Sequence, residues 1–172
     1  MNGGGKSMAR MRIEGLSEYT RQLEQLETET KPIIQKCLYE GASVVADAVS
    51  SAIGQIPTRS NTEFGSAEHV LSGITPAQKA GLQESFGITK MSDRDNQQNV
   101  KLGFDGYNQV KTKKYPNGQP NQLIARSIES GTSWLQPCHF MSKAQNANKA
   151  AVEAKMAETC DAEIAKRTGG II

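Results

Sequence analysis

A broad apolar stripe in residues 32–54 constrains the fold more than any other feature of the sequence. Pro32 suits the first turn of a helix, because its fixed φ and missing N–H are tolerated there. Apolar side chains then recur at helical spacing until Gly54 and Pro57 favour an end to the helix. A stripe this wide predicts the central core helix. Its members are Ile33, Ile34, Cys37, Leu38, Val44, Val45, Ala48, Val49, Ala52 and Ile53.

The composition limits the size of the core that can surround this helix. The 172 residues fit one domain, and only 37% of them are hydrophobic and 5% aromatic. The 20 basic and 18 acidic residues are interspersed and give a net charge of +2, which disfavours a dedicated DNA-reading domain. We expect a flexible N-terminal arm, residues 1–14, followed by a single α+β domain, residues 15–172.

Helix and strand signals follow one another along the chain. Residues 16–30 have the spacing of a short amphipathic helix. Residues 57–75 are polar and aperiodic, which predicts a long loop. A further helix should begin with Thr75 as N-cap and Pro76 at its first position. The segments SFGITKM and NVKLGFDG flank the hydrophilic SDRDNQQ and predict an antiparallel hairpin with a longer turn.

The C-terminal part of the chain contains a basic loop and two further elements. The lysines in residues 106–121 predict either a solvated hairpin tip or a loop that contacts DNA or an acidic neighbour. Residues 122–132 form a strand or a short helix that ends at Gly131, where we expect a positive φ. The last helix should run from about Ser142, its N-cap, to Arg167. The lysines are Lys111, Lys113 and Lys114.

These elements predict an α+β fold. A small antiparallel sheet packs against the long central helix and the long C-terminal helix, with extended polar loops between them. Cys37, Cys138 and Cys160 are odd in number and far apart, so the sequence supports neither a disulfide framework nor a zinc site. Neither a signal peptide nor a membrane span is apparent. We therefore expect a protein of the reducing cytosol without metal, cofactor or membrane partner.

Cys138 and His139 raise the question of catalysis. With Glu129 upstream, they offer a nucleophile, a base and an orienting carboxylate, as in a thiol-dependent hydrolase. If the segment is extended, however, adjacent side chains point to opposite faces, and the thiol and the imidazole diverge. A structural joint is the favoured interpretation, and the hydrolase is the alternative.

The order of the elements resembles that of the head–tail joining, or tail-completion, family of tailed bacteriophages. The resemblance runs from about Leu16 onward and includes LQESF and VKLGFDGYN. Its most specific part extends from NQLIARSIESGTS to the Pro-x-x-Phe-x-x-x-Ala spacing of Pro137, Phe140 and Ala144. Relatives often carry Pro directly before the Phe, where this chain has His139.

The resemblance implies a structural protein of the virion neck without an active site. It implies a homo-oligomeric ring, a hexamer, that joins the head connector or stopper protein to the tail tube protein. Such a ring is assembled in the host cytoplasm from head-to-tail contacts. It could be the adaptor-side joining ring or the tail terminator. DNA in the channel is a further partner, and the alternative function is a nucleic-acid-binding protein whose lysine loop faces the lumen.

The resemblance also implies roles for the segment around Cys138. Glu129, Gly131 and Thr132 look like a tight turn, and the residues from Pro137 to Phe140 look like the anchor of the last helix. Trp134 and Leu135 could belong to the core or to a subunit contact, and we favour the contact because aromatic residues are enriched at interface centres.

Overall fold

Two long helices that run antiparallel to each other form the frame of the molecule. The computed structural model describes residues 16–94 and 97–168, so the predicted arm of residues 1–14 lies outside the described residues. The α+β fold is confirmed, and its described strands form two separate two-stranded antiparallel sheets. In chain order the elements are α1 (Leu16–Gln55), α2 (Pro76–Ser85), β1 (Phe86–Ile88), β2 (Ser92–Arg94), β3 (Gln97–Asn99), β4 (Leu102–Phe104), α3 (Asn121–Ser130) and α4 (Phe140–Thr168).

Helix α1 includes the predicted central helix but also the segment before it. The prediction of two helices separated at Pro32 is wrong, because α1 continues through that residue. Contacts with α4 hold α1 on both sides of it. Glu29 pairs with Arg167 before the proline, and Lys36 pairs with Glu163 after it. Tertiary packing thus offsets the helical hydrogen bond that proline removes.

The helix and the hairpin predicted after α1 are both present in the structure. The Thr75 hydroxyl accepts a hydrogen bond from the Gln78 amide at 3.2 Å, and the Gln78 side chain accepts one from the Thr75 amide at 3.1 Å. This is the capping box that starts α2 at Pro76. The predicted hairpin is confirmed, with β1 antiparallel to β4 and Phe86 opposite Phe104. The connection between these strands contains the second pair, β2 and β3.

The apolar core lies between the C-terminal part of α1, the first turns of α4, and α2, α3 and β4. Phe140 is only 3% exposed, as predicted, and Ala144 one turn later is also buried. The Phe140 ring meets Phe104 edge-on at 6.3 Å, and Phe104 contacts Phe86 at 5.1 Å between ring centroids. The other core side chains are Val49, Ile53, Ile56, Leu71, Ile74, Leu82, Ile124, Ala125, Ile128 and Leu135.

The opposite end of the helix pair is fastened by a disulfide bond. Cys37 of α1 and Cys160 of α4 are bonded, with Cα atoms 5.9 Å apart, so the prediction of no disulfide is wrong. The two residues are 123 positions apart, and only the antiparallel packing of the helices brings them together. Closing a loop of this length contributes about 5 kcal/mol in the chain-entropy model. Cys138 is the remaining cysteine and is free.

A buried carboxylate lies next to the disulfide. Glu163 is 6% exposed and accepts hydrogen bonds from Lys36 of α1 at 2.6 Å and from Lys166 at 3.0 Å. Arg167 also contacts it, at 2.5 Å, and bridges to Glu29 of α1. The Lys36 hydrogen bond, followed by those from Arg167 and Lys166, lowers the pKa of Glu163 to about 2. This ion cluster therefore connects the two helices through a carboxylate that is ionised at neutral pH.

Phe140→Ala should destabilise the subunit by about 3–5 kcal/mol, because it removes buried surface and leaves a cavity. For a chain of this size we expect the melting temperature to fall by on the order of 10 °C. Tyr107→Ala is the matched control, because Tyr107 is 69% exposed and its removal should leave the melt unchanged. Equal melting temperatures for the two variants would contradict the assignment of Phe140 to the core.

Glu163→Gln should lower stability at pH 7 and remove a pH dependence in acid. A carboxyl whose folded pKa is about 2, against an ordinary 4.5, stabilises the fold fully above the higher value. That contribution is lost as the pH falls toward the lower value. The difference in unfolding free energy between wild type and variant should thus be constant above about pH 5 and shrink below it.

Urea unfolding at several pH values measures this difference for both proteins. The control is Glu158→Gln, since Glu158 is exposed and pairs with Lys155 on the same helix. A difference that persists unchanged down to about pH 2 would show that Glu163 is not held as a carboxylate.

Candidate functional site

The joint between α3 and α4, residues 128–142, contains most of the residues singled out in the sequence. Residues 121–130 form a helix rather than a strand, and Gly131 follows it with a φ of 73°, so the predicted positive φ is confirmed. A side chain here would also collide, since an added Cβ would lie 2.9 Å from the Pro137 ring. Glycine is therefore required both for the backbone conformation and for the close approach of Pro137.

The two helices satisfy each other's free backbone groups across this joint. The amide of Cys138 donates to the Ile128 carbonyl at 2.8 Å, and the amide of His139 donates to the Glu129 carbonyl at 3.3 Å. In return, the Glu129 carboxylate accepts the amides of Met141 at 2.9 Å and Ser142 at 3.0 Å. The predicted Ser142 N-cap is therefore wrong: α4 begins at Phe140, and Glu129 of α3 caps it.

The environment of Glu129 suits a capping carboxylate. Burial raises its pKa, but hydrogen bonds from the Ser142 hydroxyl and from the Met141 and Ser142 amides outweigh that effect, and His139 adds to them. The net result is a lowered pKa. Negative charge at a helix N-terminus is also favoured by the helix dipole. Glu129 therefore functions as an ionised structural group that fixes the direction of α4.

The three residues of the hydrolase alternative are close in sequence but do not form a relay. The side chain of Cys138 is half-buried, whereas that of His139 is exposed. Within the part of the chain that the structure describes, no hydrogen bond joins the thiol to the imidazole, and the Glu129 oxygens contact α4. His139 has a φ of 53°, a value that proline cannot adopt, so the chain turns here in a way that a Pro-Phe pair could not.

A tight turn after Gly131 connects the joint to the loop of residues 57–75. The amide of Thr132 donates to the Leu135 carbonyl at 2.8 Å, which closes the turn. Leu71 donates to the Trp134 carbonyl and accepts from the Gln136 amide, both at 2.9 Å. Of the two interpretations given for Leu135, the core is the correct one, because its side chain is 4% exposed and packs in the core cluster.

Three apolar side chains are exposed on the segments that this connection brings together. We call this group the Phe64 patch, and it comprises Phe64, 84% exposed, Val70, 42%, and Trp134, 39%. Gly65 brings the segments together, because an added Cβ there would lie 2.6 Å from the Trp134 carbonyl oxygen. The loop is fixed at its ends by hydrogen bonds between Arg59 and Ile74, 2.9 Å, and between Ile74 and Pro57, 3.0 Å. It therefore holds apolar side chains out toward solvent.

The lysine loop is fixed at its base and exposed at its tip. Buried Asn108 donates to the Ala77 carbonyl at 3.1 Å and accepts from the Val110 amide at 3.0 Å. Buried Asn121 donates to the Asp105 carbonyl at 3.0 Å. The side-chain amides of Asn108 and Asn121 therefore connect the base of the loop to the residues around it. Its lysines, Lys111, Lys113 and Lys114, are exposed, as both a solvated tip and a loop that contacts DNA or an acidic neighbour require.

A groove of about 510 Å³ runs along the surface between α1 and α4. Small side chains give it depth, and Phe140 and the free Cys138 lie in its wall. Lys143 is the only charged residue among those that line it. We call this the α1–α4 groove. The small side chains are Ala48 and Ala52 from α1 and Ala144 and Ala147 from α4.

Sequence reasoning missed several residues that hold these surfaces in place. The sequence places Glu129 in the turn but not in the cap of α4, because the amides that donate to it lie twelve and thirteen positions away. The capping spacing that identified Thr75 and Gln78 is local and has no equivalent across two helices. Asn108 and Asn121 resemble ordinary loop asparagines, and their burial depends on the packing of α2 beneath them.

Among the residues that the structure describes, no helix combines the length and the apolar content needed to cross a bilayer. The same residues contain no group of three or more His, Cys, Asp or Glu side chains placed to hold a metal ion. Comparison of the chain with protein-family models, with curated proteins and with solved structures gave no match.

Glu129→Ala should destabilise the subunit by about 1–2 kcal/mol, because it leaves the first amides of α4 without an acceptor. Glu153→Ala is the matched control, since Glu153 is an exposed carboxylate further along α4. Cys138→Ser should melt close to wild type, because its role in the joint is carried by the backbone amide. If Glu129→Ala instead melts like wild type while abolishing a thiol-dependent hydrolysis, the structural interpretation of Glu129 is wrong.

Proposed function

We propose that this chain is a structural subunit of the neck of a tailed bacteriophage. In this role it forms a ring that joins the head connector to the tail tube, as the resemblance of NQLIARSIESGTS and the Pro137, Phe140 and Ala144 spacing implies. The Phe64 patch carries the proposal. Isolated apolar residues on a surface are ordinary, but an apolar patch on an ordered loop is typical of a surface that another protein covers.

The scaffold around the patch supports an assembly role. The joint fixes α4 through Glu129, and the bonds of Leu71 fix the loop of residues 57–75 to the same joint. Surfaces held in this way need little ordering when a partner binds, so less free energy is lost on association. The hydrolase alternative has less support, since Glu129 is engaged by the first turn of α4.

Native mass spectrometry of the purified chain tests the oligomeric part of this proposal. We expect a closed cyclic oligomer, a hexamer by the resemblance, because head-to-tail contacts that close give a ring. A stop codon early in the gene, introduced into the phage genome that carries it, tests the function. The expected products are DNA-filled heads and separate tails, with joining restored by wild-type protein. Infectious virions that lack the chain would refute the proposal.

A second candidate function is contact with DNA inside the channel of the ring. The observation that favours it is the exposure of Lys111, Lys113 and Lys114 on a loop whose base is fixed by Asn108. Three lysines per subunit are few, but a ring repeats them around one channel, and each neutralised phosphate adds to a salt-dependent affinity.

DNA binding by the assembled ring should therefore weaken as salt is raised, and a variant with all three lysines changed to Ala should lose most of it. Lys90, Lys101 and Lys149, which are exposed elsewhere on the subunit, changed to Ala together serve as the control for net charge. Equal loss in both variants would show that the lysine loop has no specific part in binding.

A further inference from the structure

We propose that Phe64 of one copy inserts into the α1–α4 groove of a second copy. This inference rests on the proposed ring and names the contact that would link its subunits. Phe64 and the groove belong to different elements and share no residue, so each copy presents one of each. A contact of this kind is head-to-tail, and repetition of it closes a ring when the rotation between copies permits.

Hydrogen bonds hold the backbone on both sides of Phe64. The Arg59 guanidinium donates to the Glu63 carbonyl, next to Phe64, at 2.7 Å. The amide of Ser66 donates to the His69 carbonyl at 2.9 Å on the other side. These bonds order the loop while leaving the phenyl ring 84% exposed. An ordered aromatic side chain that protrudes in this way is suited to act as an interface anchor.

The groove has the size and the lining that a phenyl ring needs. Its volume of about 510 Å³ lies within the ~300–1,000 Å³ of sites that enclose small ligands. Alanines from both helices leave the floor open, and the accessible apolar lining is provided by Ala48, Ala52 and Ala147. Insertion of Phe64 would cover apolar surface on both copies at once.

The charges beside the two surfaces are complementary. Glu63 and Glu68 flank Phe64 and are exposed, and Lys143 lines the groove. Within the described part of the chain none of these three residues has an ion-pair partner, so each is free to pair across an interface. Opposite charges around an apolar anchor favour one orientation of docking and disfavour contact between two Phe64 patches, where like charges meet.

The free thiol in the groove provides a direct test. Phe64→Cys places a thiol on the loop, and Cys37 and Cys160 are already bonded to each other. Copper(II)–phenanthroline accepts the two electrons as the introduced thiol and Cys138 lose their protons and form a disulfide between copies. We expect a ladder of linked subunits on a non-reducing gel, up to the full ring, that collapses to monomer with reductant.

Two controls distinguish this contact from others. Phe64→Cys combined with Cys138→Ser should give no ladder, and neither should wild type. A single dimer band that persists in the double variant would mean that two Phe64 patches meet, and would overturn the inference. Absence of the ladder, with a closed oligomer still seen by native mass spectrometry, would also overturn it but leave the proposed neck function standing. A chain that stays monomeric at every concentration would refute the ring itself.

The concentration for half-assembly of anchor and charge variants gives a second test that does not depend on the thiol. Phe64→Asp should raise the concentration for half-assembly at least about tenfold, as expected for loss of an anchor. Lys143→Glu should raise it by on the order of threefold, in line with an exposed ion pair. Adding Glu63→Lys and Glu68→Lys to Lys143→Glu should restore assembly. Failure of this restoration, with all variants folded, would show that these charges do not meet.

Discussion

Phe140 lies where α1, α3 and β4 meet, and the direction of α4 depends on how the chain reaches it. Its ring fills the core beside Phe104, while the backbone before it is bonded to the end of α3 and the backbone after it is capped by Glu129. With only 5% aromatic residues, the chain has few side chains that could replace this contact. The packing of Phe140 helps to position three features: the α1–α4 groove, the α1–α4 contacts and the loop carrying Phe64.

The joint also explains why an apparently reactive sequence is used structurally. Cys138 and His139 contribute their amides to the carbonyls at the end of α3, and Glu129 contributes its carboxylate to the amides at the start of α4. Backbone groups left free at two helix ends thereby satisfy one another. This reciprocal arrangement requires a short connection between the two helices and a sharp turn of the backbone. Gly131 and its neighbours provide both.

Local signals predicted much of the fold, and long-range pairing accounts for the rest. The stripe in residues 33–53, the Thr75 cap and the hairpin depend on neighbours in sequence, and each was predicted. The local preference of proline for the first turn of a helix predicts a helix start at Pro32. Contacts with α4 on both sides of that residue outweigh this preference. The Cys37–Cys160 bond and the Glu163 cluster depend on antiparallel helix packing, which spacing alone does not reveal. The exposure of Phe64 likewise follows from where its loop is fixed.

The two ends of the α1–α4 pair are held by different kinds of force. Apolar burial around Phe140 secures one end, whereas a covalent bond and a carboxylate shared by three cations secure the other. Reductant acts on the second end alone, acid acts on that end through Glu163 and on the joint through Glu129, and cooling weakens the apolar burial at the first end. The reduction of one covalent bond therefore removes a constraint from the end of the helix pair that lies far from the joint and the groove, which depend on apolar packing instead.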